Sequence, residues 1–242
     1  MHLVIDIGNT RTKIGLFDGR RLARKTVGQH WSAETLRQWT HNAAIDGAIF
    51  SSVADDDQGL RQDLSDHFQA FELLHHTPLP FRNAYRTPET LGKDRLAAAA
   101  GALALFPGRH CLVIDCGTCI KYELIDANAV YLGGNIAPGL LMRIQAMHHF
   151  TARLPEVPLE MPADNIGNST STALQNGALR GAIFEIEGFI RQFEQQFGQL
   201  TIILTGGDAE FVQQFLNRPD TILEPDLILY GLHNILTFNL TT

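Results

Sequence analysis

The residues best suited to chemistry are carboxylates that follow apolar strands at glycine-containing turns. Asp6 ends the apolar run at residues 3–5, and the turn Gly8-Asn9-Thr10 follows it. The backbone amides of such a turn converge without side-chain bulk and can bind an anion such as phosphate. A carboxylate beside a phosphate site can hold magnesium through water. The same residues also fit a plain hairpin, in which Asp6 only accepts hydrogen bonds from loop amides.

A second copy of this stretch favours the functional interpretation over the plain hairpin. The sequence LVIDIGNTRTKIGLFD at residues 3–18 recurs as LVIDCGTCIKYELID at residues 112–126, with one residue omitted. The corresponding residues are Asp6 and Asp115, Gly8 and Gly117, and Lys13 and Lys121. Two copies of strand, aspartate, turn and strand predict two similar domains, each of which offers a carboxylate and a turn to a shared cleft.

The charge and hydropathy of the chain argue against some classes of function. Its 242 residues carry a formal net charge of −7, whereas a general nucleic-acid binder needs a basic surface. No apolar run approaches the ~20 residues that span a bilayer. The N-terminus lacks a basic segment before an apolar one, and Asp6 interrupts the apolar run, so we expect no signal peptide. The sequence therefore predicts a cytoplasmic protein with no nucleic-acid or membrane partner.

Cysteine chemistry is a weaker hypothesis. The cysteines are Cys111, Cys116 and Cys119, and the last two form a C-x-x-C pattern. Such a pair is redox-active or forms half of a zinc site in some proteins. Here it falls in a predicted hairpin turn rather than at a helix start, and the sequence has no second pair to complete a zinc site. We expect reduced, buried thiols.

The elements that must position these residues follow from the apolar pattern. Over the first half the order is strand, strand, strand, helix, strand, helix, strand, which predicts a mixed sheet flanked by helices. Ser32 is the expected N-cap of the first helix. The predicted strands are residues 3–5, 13–17, 22–27, 47–53 and 70–74, and the predicted helices are residues 32–44 and 55–68.

A charged segment precedes the next predicted helix, residues 96–106. The segment is Lys93-Asp94-Arg95. Asp is a favoured N-cap, so Asp94 could cap this alanine-rich helix and do nothing else. Alternatively, Asp94 and Arg95 form one rim of a cleft, where the helix N-terminus favours the ionised carboxylate that a general base requires. Both interpretations fit the spacing.

The second half contains two glycine-rich segments and an apolar seam. We expect residues 133–139 to be a loop that opens a helix, and residues 205–209 to be a turn whose glycine pair and following helix favour phosphate. The seam has the spacing of a helix face that packs either against the core or against a second subunit. Its residues are Leu179, Ile183, Ile186, Ile190, Phe193 and Phe197.

The domain boundary is predicted at the helix stop Pro107-Gly108. It gives an N-terminal domain at residues 1–107 and a C-terminal domain at residues 108–242. The final apolar segment, residues 225–240, is predicted to be a helix that closes the fold and can return to the first domain.

The ordered set of motifs resembles the type III pantothenate kinase family. The motifs are Asp6-Ile-Gly-Asn-Thr with Lys13, Leu91-Gly-Lys-Asp-Arg95, Asp115-Cys-Gly-Thr118, Gly133-Gly-Asn-Ile-Ala-Pro-Gly139 and Leu204-Thr-Gly-Gly-Asp-Ala209. They extend over nearly the whole chain. The resemblance implies an α/β fold of two ribonuclease-H-like domains around a central nucleotide cleft, as in actin-like and sugar-kinase-like ATPases. It also implies a homodimer, since the family is typically dimeric.

The resemblance further implies roles for single residues. Asp6 would hold magnesium through water, and Asp115 would hold a monovalent cation, potassium or ammonium. Asp94 would be the catalytic base. The residues expected to contact ATP are Asp6, Ile7, Gly8, Asn9, Thr10, Arg11, Thr12, Lys13 and Thr118. The residues expected to contact pantothenate are Tyr85, Gly92, Lys93, Asp94, Arg95 and Thr170.

One position departs from the family pattern. The family commonly has Asn-Thr where this chain has Ser169-Thr170. Thr170 nevertheless keeps its spacing to Ala173 and Gly177, so we retain it as a substrate contact.

The expected activity is ATP-dependent phosphorylation of pantothenate to 4'-phosphopantothenate, the first step of coenzyme A biosynthesis. Phosphoryl transfer needs neutralised charge around the γ-phosphate and a well-placed hydroxyl. The chain lacks a G-x-x-x-x-G-K-[ST] sequence and is therefore not a P-loop kinase. Two alternatives stay open: a nucleotide-binding regulator without turnover, and a kinase or ATPase of the same fold with another substrate.

Overall fold

A computed structural model describes residues 1–8, 11–28, 31–41, 43–52 and 58–241. The strands are β1 (His2–Ile7), β2 (Thr12–Asp18), β3 (Arg21–Gly28), β4 (Gly47–Ser52), β5 (Phe71–Glu72), β6 (Arg82–Asn83), β7 (Cys111–Cys116), β8 (Cys119–Ile125), β9 (Val130–Pro138), β10 (Thr201–Thr205) and β11 (Ile222–Leu223). The helices are α1 (Ala33–Trp39), α2 (Gln58–Phe68), α3 (Lys93–Leu105), α4 (Leu140–His149), α5 (Thr170–Gln175), α6 (Gly181–Phe197), α7 (Ala209–Phe215) and α8 (Leu227–Thr241). A 3-10 turn spans Pro88–Thr90 and a π-helical turn spans Asn176–Arg180.

The element order predicted for the first half is confirmed, although β1 to β3 are longer and α1 and β5 are shorter than predicted. Ser32 is the N-cap of α1, and its hydroxyl accepts a hydrogen bond from the Thr35 N–H. The helix ends at Trp39 rather than near residue 44, because His41 adopts a positive φ of 53° that no α-helix continues. The predicted start of α2 and the last residue of the predicted strand at 47–53 lie outside the described residues.

Contacts between residues divide the chain into two compact units. Unit 1 contains residues 1–108, 125–132 and 226–242, and unit 2 contains residues 109–124 and 133–225. The division into domains at residues 107 and 108 stays a prediction. None of the helices in the described ranges is long and apolar enough to cross a bilayer.

Unit 1 is built on a sheet with the strand order β3-β2-β1-β4-β5. Strand β1 pairs antiparallel with β2 and parallel with β4. One sheet face packs against α1 and α2 through buried residues such as Leu36, Phe50 and Leu64. In the same unit, β6 pairs with the start of β9.

The final apolar segment forms α8, as predicted, and packs on α3 and on strands β1, β2 and β4. Two glycines permit the close approach of α8 and α3. A Cβ at Gly231 would lie 1.8 Å from the Ala97 carbonyl oxygen, and one at Gly101 would lie 2.3 Å from that of Leu227. The alanine-rich helix therefore uses its small residues to bring two backbones together.

Unit 2 is built on strands in the order β11-β10-β7-β8-β9. Strands β7 and β10 are parallel, and α4 to α7 supply the residues that pack with them in the unit's core. The apolar seam belongs to this core. Leu179, Ile183, Ile186 and Ile190 are at most 2% exposed, and Phe193 and Phe197 pack against them. Of the two interpretations of the seam, core packing is confirmed, and its four buried residues are not available to a subunit interface.

The glycine-rich segment at residues 133–139 is not a loop, contrary to the prediction. It continues β9 as far as Pro138, and only Gly139 lies outside the strand, as the N-cap of α4. The cause is close backbone approach, because a Cβ at Gly134 would lie 1.5 Å from the Tyr122 carbonyl oxygen. Gly133 has a φ of 106°, which also favours glycine.

Candidate active site

The first predicted phosphate site lies at the end of β1 in unit 1. Asp6 is directly opposite Lys13 across the β1–β2 pair, so their Cβ atoms are about 5 Å apart. Gly8 N–H donates a hydrogen bond to the Arg11 carbonyl oxygen at 3.1 Å. Of the other predicted ATP contacts, Ile7 and Thr12 have buried side chains, and Asn9 and Thr10 lie outside the described residues.

A buried hydroxyl lies beside Asp6 on the neighbouring parallel strand. Ser51 is in register with Asp6, so the two side chains point to the same face of the sheet. Ser51 is 0% exposed, and its Oγ has no hydrogen-bond partner within the described residues. Sequence analysis missed Ser51 as a site residue. The available signal was a strand that ends in hydroxyl residues.

Asp94 lies in the first turn of α3 but is not its N-cap. Gly92 is the N-cap residue, which leaves Asp94 as the second residue of the helix. Its Oδ1 accepts a hydrogen bond from the Arg95 N–H at 2.9 Å. The interpretation of Asp94 as a simple N-cap is therefore wrong. The carboxylate still lies at the positive end of the helix dipole.

The residues on either side of Asp94 are held by partners within unit 1. Lys93 Nζ forms an ion pair with Glu72 on β5 at 2.7 Å. Arg95 is only 5% exposed, and its guanidinium carbon lies 5.4 Å from the centroid of the Tyr85 ring. The structure thus brings Tyr85 and Arg95 together, two of the predicted substrate contacts. A guanidinium fixed over an aromatic ring is well suited to bind a carboxylate.

The second aspartate, Asp115, lies at the end of β7 in unit 2. Its Oδ2 is 2.7 Å from Lys121 Nζ on β8, and the two side chains are 16% and 19% exposed. The following turn is Gly117-Thr118, where Gly117 N–H donates to the Cys119 carbonyl oxygen at 3.1 Å. The exposed Thr118 occupies the tip of this turn.

The Thr118 turn is held in place by the start of α4. Gly139 N–H donates to the Thr118 carbonyl oxygen at 3.1 Å. Arg143 Nε donates to the carbonyl oxygen of Pro138 at 2.9 Å, and its Nη2 forms an ion pair with Glu185 on α6 at 2.8 Å. The turn is therefore tied to two helices of unit 2.

The glycine pair after β10 packs against the end of β7. Thr205 is in register beside Asp115, is 0% exposed, and has no hydrogen-bond partner for its Oγ1 among the described residues. Thr205 therefore corresponds in unit 2 to Ser51 in unit 1. Gly206 has a φ of 95°, and a Cβ there would lie 2.5 Å from Asp115 Oδ1. Asp208 N–H donates to the Cys116 carbonyl oxygen at 2.9 Å, and burial raises the pKa of the Asp208 carboxyl.

The cysteines are free thiols, as predicted. Cys111 and Cys116 are buried, and Cys119 is half-buried. Burial raises the pKa of Cys111 to about 11. Burial also raises the pKa of Cys116, and the negative charges of Asp115 and Asp208 raise it further. Because the thiolate is the reactive form, buried protonated thiols make poor nucleophiles and metal ligands.

Thr170 is the first residue of α5, in unit 2, and is exposed. Ser169 is the N-cap of this helix. Its Oγ accepts a hydrogen bond from the Thr172 N–H at 3.2 Å, and the Thr172 hydroxyl accepts one from the Ser169 N–H at 3.1 Å. The serine thus performs the capping that asparagine also performs.

Comparison with known proteins identifies a family over most of the chain. A family model described as type III pantothenate kinase matches residues 2–192. The type III pantothenate kinase of Phocaeicola vulgatus is 40% identical over 242 residues, which cover 99% of this chain and 99% of the relative.

Solved structures show the same fold at lower identity. A Baf family protein from Campylobacter jejuni matches with a TM-score of 0.64 and 22% identity, over 99% of this chain and 100% of that chain. The activator of the 2-hydroxyisocaproyl-CoA dehydratase from Clostridium difficile, determined with bound ADPNP, matches with a TM-score of 0.54 and 12% identity, over 99% and 95%. The predicted fold class of actin-like and sugar-kinase-like ATPases is confirmed.

Proposed function

The chain belongs to the type III pantothenate kinase family, and from this premise we propose a role for each site residue in the reaction. The protein transfers the γ-phosphoryl group of ATP to the hydroxyl of pantothenate, which starts coenzyme A biosynthesis. The alternative of a regulator without turnover finds no support among its relatives. Little covalent chemistry falls to the protein in phosphoryl transfer, so its side chains act by positioning and by charge.

The end of β1 binds the phosphates of ATP. Lys13 neutralises part of the negative charge of the phosphates. In unit 2, Thr118 is exposed at the tip of the second turn and is a further proposed ATP contact. Ile7 and Thr12 contribute through their backbone, since their side chains are buried.

Magnesium accompanies ATP in this kinase family. The residues present fit such an ion, because the Asp6 carboxylate and the Ser51 hydroxyl, which has no partner in the described part of the chain, are oxygen ligands on one face of the sheet. Magnesium held there through water would supply positive charge near the phosphates of ATP. The Ser51 hydroxyl would orient the water or the Asp6 carboxylate.

The residues around Asp115 fit a monovalent cation less well. Lys121 Nζ already lies 2.7 Å from Asp115 Oδ2, so the carboxylate has a positive partner within the chain. We therefore assign no step of the reaction to potassium or ammonium.

The Tyr85–Arg95 pair binds pantothenate. Pantothenate carries a carboxylate, and the buried Arg95 guanidinium offers a bidentate partner for it. In unit 1, the backbone of Gly92 adds a contact at the same helix start, where Lys93 is held to Glu72. In unit 2, the exposed Thr170 is a further proposed substrate contact.

Asp94 acts as the general base, and its position in the first turn of α3 is the observation that carries this assignment. The carboxylate does not cap the helix, and it lies at the positive end of the helix dipole. It adjoins Arg95, which places the bound substrate within reach of Asp94. Asp94 accepts the proton of the substrate hydroxyl as that oxygen attacks the γ-phosphorus.

A second copy of the chain completes the proposed assembly. The outward side of α6 carries Phe184, which is 61% exposed, between Gly181 and Gly188. A Cβ at either glycine would meet no atom within 4 Å. This surface supports a homodimer interface there, on the side of the helix away from the seam. We also propose a cytoplasmic location, as the sequence predicts.

The activity is tested by release of ADP from ATP in the presence and absence of added pantothenate. We expect ADP release to depend on pantothenate and 4'-phosphopantothenate to accumulate in equal amount. ATP hydrolysis that ignores pantothenate would indicate a kinase or ATPase with another substrate. ATP binding without any turnover would indicate a regulator.

A further inference from the structure

We propose that Lys121 supplies, from within the chain, the monovalent positive charge that potassium or ammonium was expected to supply at Asp115. Lys121 is then a positioning residue for the Gly117-Thr118 turn. Turnover does not require an added monovalent cation. This inference rests on the proposed kinase function.

The geometry of the pair is that of a charge-assisted hydrogen bond in a protected place. Lys121 Nζ lies 2.7 Å from Asp115 Oδ2, and the side chains are only 19% and 16% exposed. Both charges are therefore partly removed from water. A partly buried ion pair is screened less by solvent than one at the surface. A cation that bound Asp115 Oδ2 directly would have to displace this ammonium or lie against it.

The other carboxylate oxygen of Asp115 faces protein. A Cβ at Gly206 would lie 2.5 Å from Oδ1 and 2.3 Å from the Cys116 carbonyl oxygen. The backbone of the turn after β10 therefore packs against Oδ1, which leaves little room for an ion on that side.

The internal repeat places a lysine at the corresponding position beside the aspartate in each unit. In unit 1, Lys13 lies opposite Asp6 across a pair of neighbouring strands. In unit 2, Lys121 is the corresponding residue and pairs with Asp115. Each aspartate at the end of a central strand thus has a lysine on the next strand of its hairpin.

The Asp115–Lys121 pair flanks the turn that carries Thr118. Asp115 is three residues before Thr118, and Lys121 is three residues after it. An ion pair across the base of this hairpin fixes the turn that we assign to the nucleotide. Loss of the ammonium leaves a half-buried carboxylate without its partner and frees the turn, which should lower turnover about 10- to 100-fold.

The experiment compares three substitutions of Lys121 in the full-length chain. Lys121→Ala removes the charge and leaves space, Lys121→Met removes the charge and fills the space, and Lys121→Arg keeps the charge. Pantothenate-dependent ADP release is measured in potassium, ammonium, sodium and choline chloride at constant ionic strength. Melting temperature is measured in the same salts, without substrates. Lys25→Ala is the matched control, since Lys25 pairs with Asp226 at 2.6 Å in unit 1.

We expect the wild type, Lys121→Arg and Lys25→Ala to turn over equally in all four salts. Lys121→Ala should lose activity in sodium and choline and recover to within about 3-fold of the wild type in potassium or ammonium. Potassium should also raise its melting temperature by roughly 2–4 °C. Lys121→Met should lose activity in every salt, because no space is left for an ion.

Two results would overturn the inference. One is a wild type that is activated 10-fold or more by potassium over sodium, which would show that an external cation is required despite Lys121. The other is a Lys121→Ala variant whose activity and melting temperature do not respond to potassium. If no variant and no salt gave pantothenate-dependent turnover, the kinase function itself would fail, and the melting temperatures would still decide the role of Lys121.

Discussion

At the scale of single residues, the two aspartates Asp115 and Asp94 differ in their surroundings. Asp115 is paired with Lys121, whereas Asp94 lies at a helix start and does not cap it. We therefore propose different roles for these two aspartates, although both lie in family motifs: Asp115 keeps a turn in place, and Asp94 receives a proton.

Asp94→Asn separates the base from a structural role. The substitution keeps the size of the side chain and an oxygen for the Arg95 N–H but removes the proton acceptor. We expect kcat to fall by roughly 10²–10⁴-fold. ATP affinity should persist, because the proposed phosphate site lies at Asp6 and Lys13, and stability should change by less than about 1 kcal/mol. Steady-state kinetics, nucleotide titration and thermal melting measure the three quantities; near-normal kcat would void the base assignment.

A buried histidine makes the stability of unit 1 depend on pH. His233 on α8 is 8% exposed, stacks on Phe17 at 4.0 Å between ring centroids, and shares a hydrogen bond with His2 at 3.1 Å. Burial, and then the nearby His2, lower the pKa of His233 from 6.5 to about 4. The unfolded chain therefore binds more protons than the folded chain between these values.

The stability that the buried neutral His233 contributes is fully present above pH 6.5. It is lost as the pH falls towards 4, by up to about 3 kcal/mol at ~1.4 kcal/mol per pH unit. His233→Gln removes the titrating group, so its urea unfolding free energy should fall less than that of the wild type over this range. Parallel pH profiles for the two proteins would contradict the prediction.

At the scale of elements, α5 shows how a departure from the family pattern is accommodated. Ser169 replaces the usual asparagine and forms a reciprocal capping box with Thr172. The helix start that carries Thr170 is therefore preserved by a different residue with the same hydrogen-bonding function.

Ser169→Ala should remove the cap and lower stability by about 1 kcal/mol, which corresponds to roughly 2–4 °C in melting temperature. Ser169→Asn should be nearly neutral, because both residues cap well. If Thr170 contacts pantothenate, the alanine variant should also raise KM for pantothenate more than it lowers kcat. Equal melting temperatures for all three proteins would show that the cap is dispensable.

The two sides of α6 have opposite surroundings, which two matched substitutions can distinguish. Ile186 is 0% exposed in the core of unit 2, whereas Phe184 is 61% exposed. Ile186→Asp buries an unpaired carboxylate and should destabilise the chain by about 4 kcal/mol or more. Thermal melting should show a large loss for Ile186→Asp and little change for Phe184→Asp. A stable Ile186→Asp variant would contradict the assignment of the seam to the core.

At the scale of the whole molecule, the proposed homodimer is tested on the outward side of α6. Sedimentation velocity of the wild type at micromolar concentration should show a dimer. Phe184→Asp should weaken it at least about 30-fold, as for an interface hot spot. Val27→Asp is the control, because Val27 is 51% exposed but lies on β3 in unit 1. A monomeric wild type would refute the dimer, and a dimeric Phe184→Asp would place the interface elsewhere.

The sequence by itself determined the features that depend on local pattern. The apolar alternation around Asp6 and Asp115 predicted both hairpins, and the repeat between them predicted two related halves of the chain. The order of the motifs also predicted the family and its reaction. These features could be predicted because strand periodicity, turn chemistry and motif spacing involve residues that are near one another in the chain.

Tertiary structure decided the features that depend on residues distant in sequence. Residues 133–138 became a strand because β9 passes close to the backbone of Tyr122. The seam of α6 became core because the strands of unit 2 pack against it. Ser51 and Thr205 joined the aspartates only through parallel pairing across the sheets. Potassium and a lysine ammonium carry the same charge, so the sequence fits either partner for Asp115, and only the position of Lys121 Nζ at 2.7 Å favours the lysine.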